Sequence, residues 1–365
     1  MDEASVDERE HTARRGVSVL ALLSLIVVVA GVGIALSLGR HPAPLAAAPA
    51  GSVALLNPTP EPGAGAARTG DLFSVADDLA THEVLLFGGV NDWDYTWGWN
   101  GTQWTQMHPR VSPPGRYGAS AAYDPETRMV MLFGGRTEQG RPVHDTWGWN
   151  GTGWVQLDSG AGGPTPGEGS DMAWDSALSE MVLTTASGVI GAPGATWVWA
   201  GNRWARPAGG DLPSGAFYSP MWFDPTTHWL IAVACCEDLP PVSGAVNTTW
   251  RWDGGKWSLL STPADSPQSA STMALDPALN SLVLCTCDGS VLGAAQLLAW
   301  YRSGWISLSA TPLPVNGGVE VTDADRHQLV LLGSASSGRE PGAVPAEVWT
   351  LTGSTWQRID RPVTP

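Results

Sequence analysis

The amino-acid sequence predicts an all-β fold built from six copies of one repeat. The ten residues from Asp145 to Trp154 repeat, with few changes, the ten from Tyr95 to Trp104 that lie fifty residues earlier. Twenty tryptophans stand beside five phenylalanines and five tyrosines, which indicates a repeated structural role for tryptophan. An aspartate and a tryptophan each recur six times in phase. Four strands in roughly fifty residues is the size of one propeller blade, so the predicted architecture is a six-bladed β-propeller with four antiparallel strands per blade.

Each repeat begins with a strand that ends in aspartate, and this aspartate begins a tight turn. In Asp124-Pro125 the two residues occupy the first and second turn positions, which favours a type I turn. The second strand, at residues 130–133 in the second repeat, is apolar on both faces and is predicted to be a buried central strand. Small residues follow it, as in Gly134-Gly135, because the backbone there approaches a neighbour closely. The six aspartates are Asp78, Asp124, Asp175, Asp224, Asp276 and Asp323.

The third and fourth strands of each repeat form a hairpin with three tryptophan positions. Asn100-Gly101 favours a two-residue type I′ turn, which would place Trp97 directly opposite Trp104. In the fifth repeat Tyr301-Arg302 occupies the turn, so we expect a longer or distorted turn there. Tryptophan fills sixteen of the eighteen positions, and these residues are predicted to be structural: Trp97, Trp99, Trp104, Trp147, Trp149, Trp154, Trp197, Trp199, Trp204, Trp250, Trp252, Trp257, Trp300, Trp305, Trp349 and Trp356.

In the second repeat an apolar second strand ending in Phe133-Gly134-Gly135 is followed by a variable loop, a third strand and a closing tryptophan. This arrangement resembles the kelch repeat. The resemblance covers about four-fifths of the chain and extends to the central domain of galactose oxidase and to sialic acid epimerases. Most kelch rings close by mixing strands from both ends of the chain in one blade. Here the first blade has its own first strand at 72–76 and the sixth has its own last strand at 356–359, so closure by exchange is not expected.

The N-terminal segment is predicted to anchor the chain in a membrane. Residues 16–39 carry no charge and would reach about 36 Å as a helix, which spans a bilayer. Arg14 and Arg15 precede this segment and favour a cytoplasmic N-terminus. A cleaved signal peptide is the alternative. The predicted organisation is a cytoplasmic tail (1–15), a transmembrane signal-anchor helix (16–39), an Ala/Pro/Gly-rich linker (40–69) and an extracytoplasmic propeller (70–361) with blades at about 70–107, 115–158, 167–206, 214–260, 267–308 and 314–360.

Charge and cysteine content limit the functional classes. The net charge of −16 makes a poor surface for nucleic acid, which we exclude as a partner.

The four cysteines, Cys235, Cys236, Cys285 and Cys287, lie in two neighbouring repeats and would be oxidised outside the cell. A vicinal pair and a Cys-x-Cys pair do not have the spacing of a zinc site. A disulfide is therefore predicted, with pairing between blades and pairing within a blade both open.

Candidate binding residues lie in the loops between second and third strands, where polar and aromatic side chains interrupt the repeat. Trp93, among carboxylates and an amide, has the chemistry to stack on a sugar or to anchor a protein. His82, His228 and His327 each stand four residues after a blade's aspartate, so they are interpreted as turn residues and not as a metal set. The candidates are Asn91, Asp92, Trp93, Asp94, Arg136, Glu138, Arg141, His144, Glu237, Asp238, Arg339 and Glu340.

The sequence contains no nucleophile motif and no phosphate-binding loop, and it predicts neither a cofactor nor a metal. We therefore expect a non-catalytic cell-surface protein that presents its propeller to a protein or glycan partner. One alternative is a carbohydrate-active enzyme resembling kelch oxidases or sialic acid epimerases, which rests on fold analogy. The other is a structural ring in an envelope assembly.

Overall fold

The computed structural model describes residues 73–89, 94–165, 170–186, 193–212, 219–237, 246–261, 267, 272–285, 296–301, 304–308, 318–333, 347–353 and 355–359. These residues form 24 strands in six four-stranded antiparallel sheets, one per blade. Within each sheet the strands follow one another in sequence order. The predicted all-β architecture of six blades with four antiparallel strands each is confirmed.

The strand bounds follow the repeat. Blade 1 contains β1 (Ser74–Asp78), β2 (Glu83–Phe87), β3 (Thr96–Trp99) and β4 (Trp104–Met107). Blade 2 contains β5 (Ser120–Asp124), β6 (Met129–Phe133), β7 (Thr146–Trp149) and β8 (Trp154–Asp158). Blade 3 contains β9 (Asp171–Asp175), β10 (Glu180–Thr185), β11 (Ala195–Trp199) and β12 (Trp204–Ala205). Blade 4 contains β13 (Met221–Asp224), β14 (Trp229–Glu237), β15 (Val246–Trp252) and β16 (Trp257–Ser261). Blade 5 contains β17 (Thr272–Asp276), β18 (Ser281–Cys285), β19 (Leu297–Tyr301) and β20 (Gly304–Ser307). Blade 6 contains β21 (Gly318–Asp323), β22 (Gln328–Gly333), β23 (Glu347–Thr352) and β24 (Thr355–Arg358).

The blades form a closed ring. The first strands of consecutive blades contact one another from β1 to β21, and β21 contacts β1. At this closing joint the backbone N–H of Ala324 donates to Asp77 Oδ2 at 2.9 Å, and His82 Nδ1 lies 2.7 Å from Asp325 Oδ2. Because the sheets of blades 1 and 6 each consist of consecutive strands, the described residues show closure by packing without strand exchange, as the sequence predicts.

The hydrophobic core is divided into six clusters, one between each pair of neighbouring blades. The second strands supply most of it, because their side chains are buried on both faces. Between blades 1 and 2, for example, the ring of Phe87 meets the ring of Trp154 edge-on at a centroid distance of 5.1 Å. Of the sixteen repeat tryptophans, eleven are buried and five are half-buried.

The turn after each first strand is built by its aspartate. In blade 2, Asp124 Oδ1 accepts a hydrogen bond from the backbone N–H of Glu126 at 2.9 Å, and each of the other five aspartates likewise accepts from the backbone two or three residues later. The residue four positions after the aspartate has a positive φ in every blade: His82, Arg128, Ser179, His228, Asn280 and His327. The three histidines are therefore turn residues on separate blades, and the described residues contain no His/Cys/Asp/Glu cluster suited to a metal.

The register of the tryptophan-rich hairpin differs from the sequence prediction. Trp99, and not Trp97, lies opposite Trp104, and the two rings are 5.3 Å apart. The reason is the side chain of Asn100, whose Oδ1 accepts hydrogen bonds from the backbone N–H groups two and three residues later at 3.0 Å each. This closes a four-residue turn in place of the two-residue type I′ turn, so the predicted pairing is wrong.

The same pairing recurs in the other blades. Blade 5 keeps it without the turn glycine: Trp300 lies opposite Trp305 with the same separation in sequence as Trp99 and Trp104. The turn is therefore not longer than in blade 1, whereas a distorted turn stays a prediction because Arg302 and Ser303 lie outside the described residues. The spacing between these two positions is the invariant of the repeat, and the turn residues adapt to it.

A hydrogen bond between neighbouring blades accompanies the hairpin. The indole Nε1 of the last tryptophan in a blade donates to the Oγ1 of the threonine that directly precedes the first repeat tryptophan in the third strand of the preceding blade. We term this contact the inter-blade latch. Its four instances, at 2.9 to 3.0 Å, are Trp154–Thr96, Trp204–Thr146, Trp257–Thr196 and Trp305–Thr249.

The predicted anchor and linker, residues 16–39 and 40–69, lie outside the described residues. Within the described residues no helix is long and apolar enough to cross a bilayer. The cytoplasmic tail and the membrane topology therefore stay predictions.

Candidate functional site

A pocket opens on blade 2 at the face that carries the loops between second and third strands. Its volume is about 620 Å³, which lies within the roughly 300–1,000 Å³ range of small-molecule sites. One wall is residues 142–145, which lead into β7. The opposite wall is the chain that leaves β8, at residues 159–163 and Thr165, and Gln156 on β8 completes the lining. These residues are termed the blade-2 pocket.

A buried ion pair holds one wall of the pocket in place. Arg116, which is 1% exposed, donates from Nη1 and Nη2 to the two carboxylate oxygens of Asp145 at 2.6 and 3.0 Å. The same guanidinium donates to the backbone carbonyls of Pro114 and Gly134 at 3.0 Å each. The indole Nε1 of Trp147 donates to Asp145 Oδ2 at 2.7 Å. Two hydrogen bonds from Arg116 thus fix the carboxylate that faces the pocket, and two more fix the guanidinium on backbone carbonyls.

This arrangement keeps Asp145 ionised. Burial disfavours its charged form, but the hydrogen bonds and positive charge of Arg116, together with the hydrogen bond from Trp147, outweigh that effect and lower the pKa of Asp145. The side chain of Asp145 is 14% exposed, so part of the carboxylate remains open to the pocket. A fixed, ionised acceptor is therefore part of the lining.

His144 joins the two walls. Its Nδ1 lies 3.2 Å from the backbone carbonyl oxygen of Pro164. Because a carbonyl oxygen only accepts hydrogen bonds, Nδ1 carries the proton, and Nε2 of the neutral ring is an acceptor. Gly160 packs against the backbone carbonyl of His144 with φ of +82°, where a Cβ atom would collide with the carbonyl oxygen. The local chain path therefore requires glycine at 160.

The double glycine at the end of β6 shapes the loop that leads to the pocket. A Cβ atom on Gly135 would lie 2.7 Å from the backbone oxygen of Tyr117, which is closer than real Cβ contacts. The backbones of Tyr117 and Arg136 exchange two hydrogen bonds of 2.9 Å at this point. The sequence interpretation of close backbone approach after the second strand thus holds at Gly135.

The structure brings one of the predicted loop candidates into the pocket, namely His144. Arg136 is half-buried and donates from Nη1 to the carbonyl of Gly140 at 2.8 Å, so it stabilises its own loop. Glu138 and Arg141 are exposed on that loop and are not among the pocket residues, and Asp94 is exposed on blade 1. Asn91, Asp92, Trp93, Asp238, Arg339 and Glu340 lie outside the described residues, and Glu237 is described only as part of the β14 backbone.

Sequence reasoning missed most of the pocket. Asp145 belongs to the repeat, and Gln156 has a counterpart in Gln106 of blade 1, so neither interrupts the pattern. The segment 159–163 is rich in glycine, and this composition favours a turn or a spacer over a recognition site. A signal was present in Arg116, since an arginine just before a first strand has to find an anion if that position is buried.

Two other blades place an arginine at the position that corresponds to Gln156. In blade 3 Arg206 lies 6.0 Å from the ring centroid of Trp197 and pairs with Asp211 at 2.6 Å. In blade 6 Arg358 lies 5.9 Å from the ring centroid of Trp349 and pairs with Glu347 at 3.1 Å. Both arginine side chains are about half exposed, so these surface ion pairs contribute little to the free energy of folding.

The cysteines are described in part. Cys285, at the end of β18, is fully buried and disulfide-bonded. The side chains of Cys235, Cys236 and Cys287 lie outside the description, so the choice between pairing across blades and within a blade stays a prediction.

The architecture defines the chain as a six-bladed β-propeller. No family model matches the chain, and no curated protein sequence is significantly similar to it. Among solved structures, the chain is similar to a variant of Aleuria aurantia lectin in complex with Fucα1-6GlcNAc, with a TM-score of 0.52 and 14% identity over 80% of this chain and 96% of the lectin. It is similar to YjhT, with a TM-score of 0.53 and 13% identity over 80% of this chain and 97% of that one. It is also similar to the SapL1 lectin in complex with α-methyl fucoside, with a TM-score of 0.51 and 12% identity over 81% of this chain and 98% of the lectin. At these identities the similarity shows the fold alone.

Proposed function

We propose that the propeller is a non-catalytic glycan-binding module and that the blade-2 pocket is a ligand site. The observation that carries the proposal is the pocket itself, whose polar lining is held in position before any ligand arrives. Arg116 fixes Asp145, and the contact with Pro164 fixes His144. A prepared set of hydrogen-bonding groups on a rigid scaffold lowers the entropy cost of binding.

The chemistry of the lining suits the hydroxyl groups of a sugar. Asp145 and His144 Nε2 accept hydrogen bonds, while the amide of Gln156 and the hydroxyls of Ser159 and Thr165 both donate and accept. Alternating donors and acceptors are what a polyhydroxylated ring requires, since each of its hydroxyls also does both. The solved structures support the same class, because two of the similar proteins are lectins determined with fucose-containing ligands.

We further propose that the chain presents this module outside a membrane. The support is the uncharged segment 16–39, with Arg14 and Arg15 before it and the linker 40–69 after it. A kelch-type ancestry for the repeat rests on the sequence pattern given above. Protease added to intact cells should cleave the propeller, and protection that is lost only on lysis would contradict this topology.

Glycan arrays probed with the purified full-length chain test the binding proposal. We expect binding to a subset of glycans, and we expect His144→Ala and Gln156→Ala to weaken it by about tenfold each, since each removes a polar partner of the ligand. Gln106→Ala is the matched control, because Gln106 lies opposite Trp97 in blade 1 as Gln156 lies opposite Trp147 in blade 2. Equal loss in all three variants would contradict a site on blade 2, and retention of a protein partner without any glycan would point to protein recognition.

A further inference from the structure

We infer that the blade-2 pocket selects neutral glycans and rejects glycans that carry a carboxylate or a sulfate at the bound position. The inference rests on the proposed function and concerns the same pocket. Its basis is a mismatch between the charges that line the pocket and the charge of such a ligand.

Among its described residues, the pocket lining carries a fixed negative charge and no arginine or lysine. Arg116 holds Asp145 in its ionised form, and the other polar lining residues are His144, Gln156, Ser159 and Thr165. An anionic ligand would lose its hydration in the pocket without gaining a counter-charge. Placing like charges side by side costs binding free energy.

The nearest cation cannot act on the ligand. Arg116 is 1% exposed, and its guanidinium is already committed to both oxygens of Asp145 and to two backbone carbonyls. To reach a ligand it would have to abandon a buried carboxylate, and breaking a buried ion pair in this way is strongly unfavourable. Its charge therefore serves to hold Asp145 and is not available for recognition of an anion.

The surrounding loop does not supply a cation either. Arg136 is turned toward the carbonyl of Gly140 in its own loop, and Arg141 is exposed and does not line the pocket. The chain as a whole has a net charge of −16, so the long-range field also disfavours the approach of an anion. The local and long-range terms thus act in the same direction.

The acceptors of the pocket favour a ligand that donates. Asp145 Oδ2 accepts hydrogen bonds from Arg116 and Trp147, and Oδ1 accepts a hydrogen bond from Arg116. The two carboxylate oxygens together accept about four hydrogen bonds, and the Asp145 side chain is 14% exposed, so it can also accept from a hydroxyl of the ligand. A neutral sugar satisfies this acceptor and His144 Nε2 with its own O–H groups, which a carboxylate or a sulfate ester lacks.

The test compares matched glycans on the full-length chain by titration calorimetry. One member of each pair is a neutral oligosaccharide identified as a ligand on the array. The other is the same oligosaccharide with either a sulfate ester on the terminal sugar or a uronic acid in place of that sugar. We expect the charged member to bind about tenfold more weakly or worse. Gln156→Lys places a cation in the pocket and should reduce this discrimination, whereas Gln106→Lys, at the corresponding position of blade 1, should leave it unchanged.

Two results would overturn the inference, and they differ in what else they overturn. If charged glycans bind as tightly as their neutral counterparts, or if Gln156→Lys leaves the discrimination intact, the pocket does not select by charge while glycan binding itself stands. If neither member of any pair binds to a folded chain, the proposed function fails and the inference fails with it.

Discussion

Trp104 and Val348 share one buried cluster at the joint that closes the ring, at the positions where Trp154 and Thr96 form a latch one blade further on. The indole Nε1 of Trp104 is buried, and no hydrogen-bond partner for it is found among the described residues. Leu297 replaces the threonine at the preceding joint in the same way, and there the indole Nε1 of Trp356 lacks a partner. At both joints of blade 6 the last tryptophan therefore packs against an aliphatic side chain and lacks the latch found at the other four joints.

Val348→Thr should restore the missing latch at the closing joint. Threonine has nearly the shape of valine, and its hydroxyl would accept from the Nε1 of Trp104 as Thr96 accepts from Trp154. We expect the free energy of unfolding to rise by about 0.5–1.5 kcal/mol in denaturant titrations. Val182→Thr is the control, since it places a hydroxyl in a fully buried strand of blade 3 and should destabilise. A loss of stability of similar size in both variants would contradict the latch.

Thr96→Val tests an existing latch from the other side. It removes the acceptor of the 3.0 Å hydrogen bond from Trp154 and leaves that indole buried without a partner. The free energy of unfolding should fall by about 1–3 kcal/mol, measured by chemical denaturation. No change in stability would mean that the indole N–H reaches another acceptor and that the latch contributes nothing.

Arg116→Met should destabilise the propeller through Asp145. The substitution keeps the apolar stem but leaves the carboxylate of Asp145 half-buried without its cation, which costs about 3–5 kcal/mol. The pKa of Asp145 is lowered in the folded state, so the pair stabilises the fold above the carboxyl's ordinary pKa, and this contribution is lost as the pH falls. The variant should therefore lose more stability at pH 7 than in acid, and an equal loss at both would contradict the ion-pair account.

Because Asp77 is at the closing joint and favours its protonated form, the free energy of unfolding should be lower in base than in acid. Burial, opposed in part by the hydrogen bond from Ala324, raises the pKa of Asp77 from 3.8 to about 7. The folded state thus favours the protonated acid, so stability present near pH 4 is lost progressively as the pH rises to about 7. Asp77→Asn, which keeps an acceptor for Ala324, should flatten this dependence in thermal unfolding curves, and Asp94→Asn, at an exposed aspartate, should not.

The fold could be predicted from the repeat because the recurring residues either pack in the core or form turns. The aspartate turns and the buried second strands follow from local chemistry and were predicted from the sequence alone. The hairpin register was not, because the Asn100 side chain takes the place of a backbone partner and lengthens the turn. The latch was also hidden, since Thr96 and Trp154 are brought together only when neighbouring blades pack.

The pocket was harder to predict than the fold for a physical reason. Its two walls are separated by the hairpin of β7 and β8, and their contact depends on the position of His144 over Gly160 and on the buried Arg116. Loop candidates that interrupted the repeat, such as Glu138 and Arg141, are exposed on the loop between β6 and β7. Most of the lining comes from the loop segments 142–144 and 159–165, and Asp145 and Gln156 of the repeated hairpin complete it.

Filling the pocket tests the central claim most directly. Ala161 is exposed and lines the pocket, so Ala161→Trp should occupy the space without disturbing the core. Ala208→Trp, at an exposed alanine in the corresponding loop of blade 3, is the matched control. With a glycan identified on the array, titration calorimetry of the full-length chain should show binding abolished by Ala161→Trp and retained by Ala208→Trp. Undiminished binding by a folded Ala161→Trp variant would contradict the assignment of the blade-2 pocket as the glycan site.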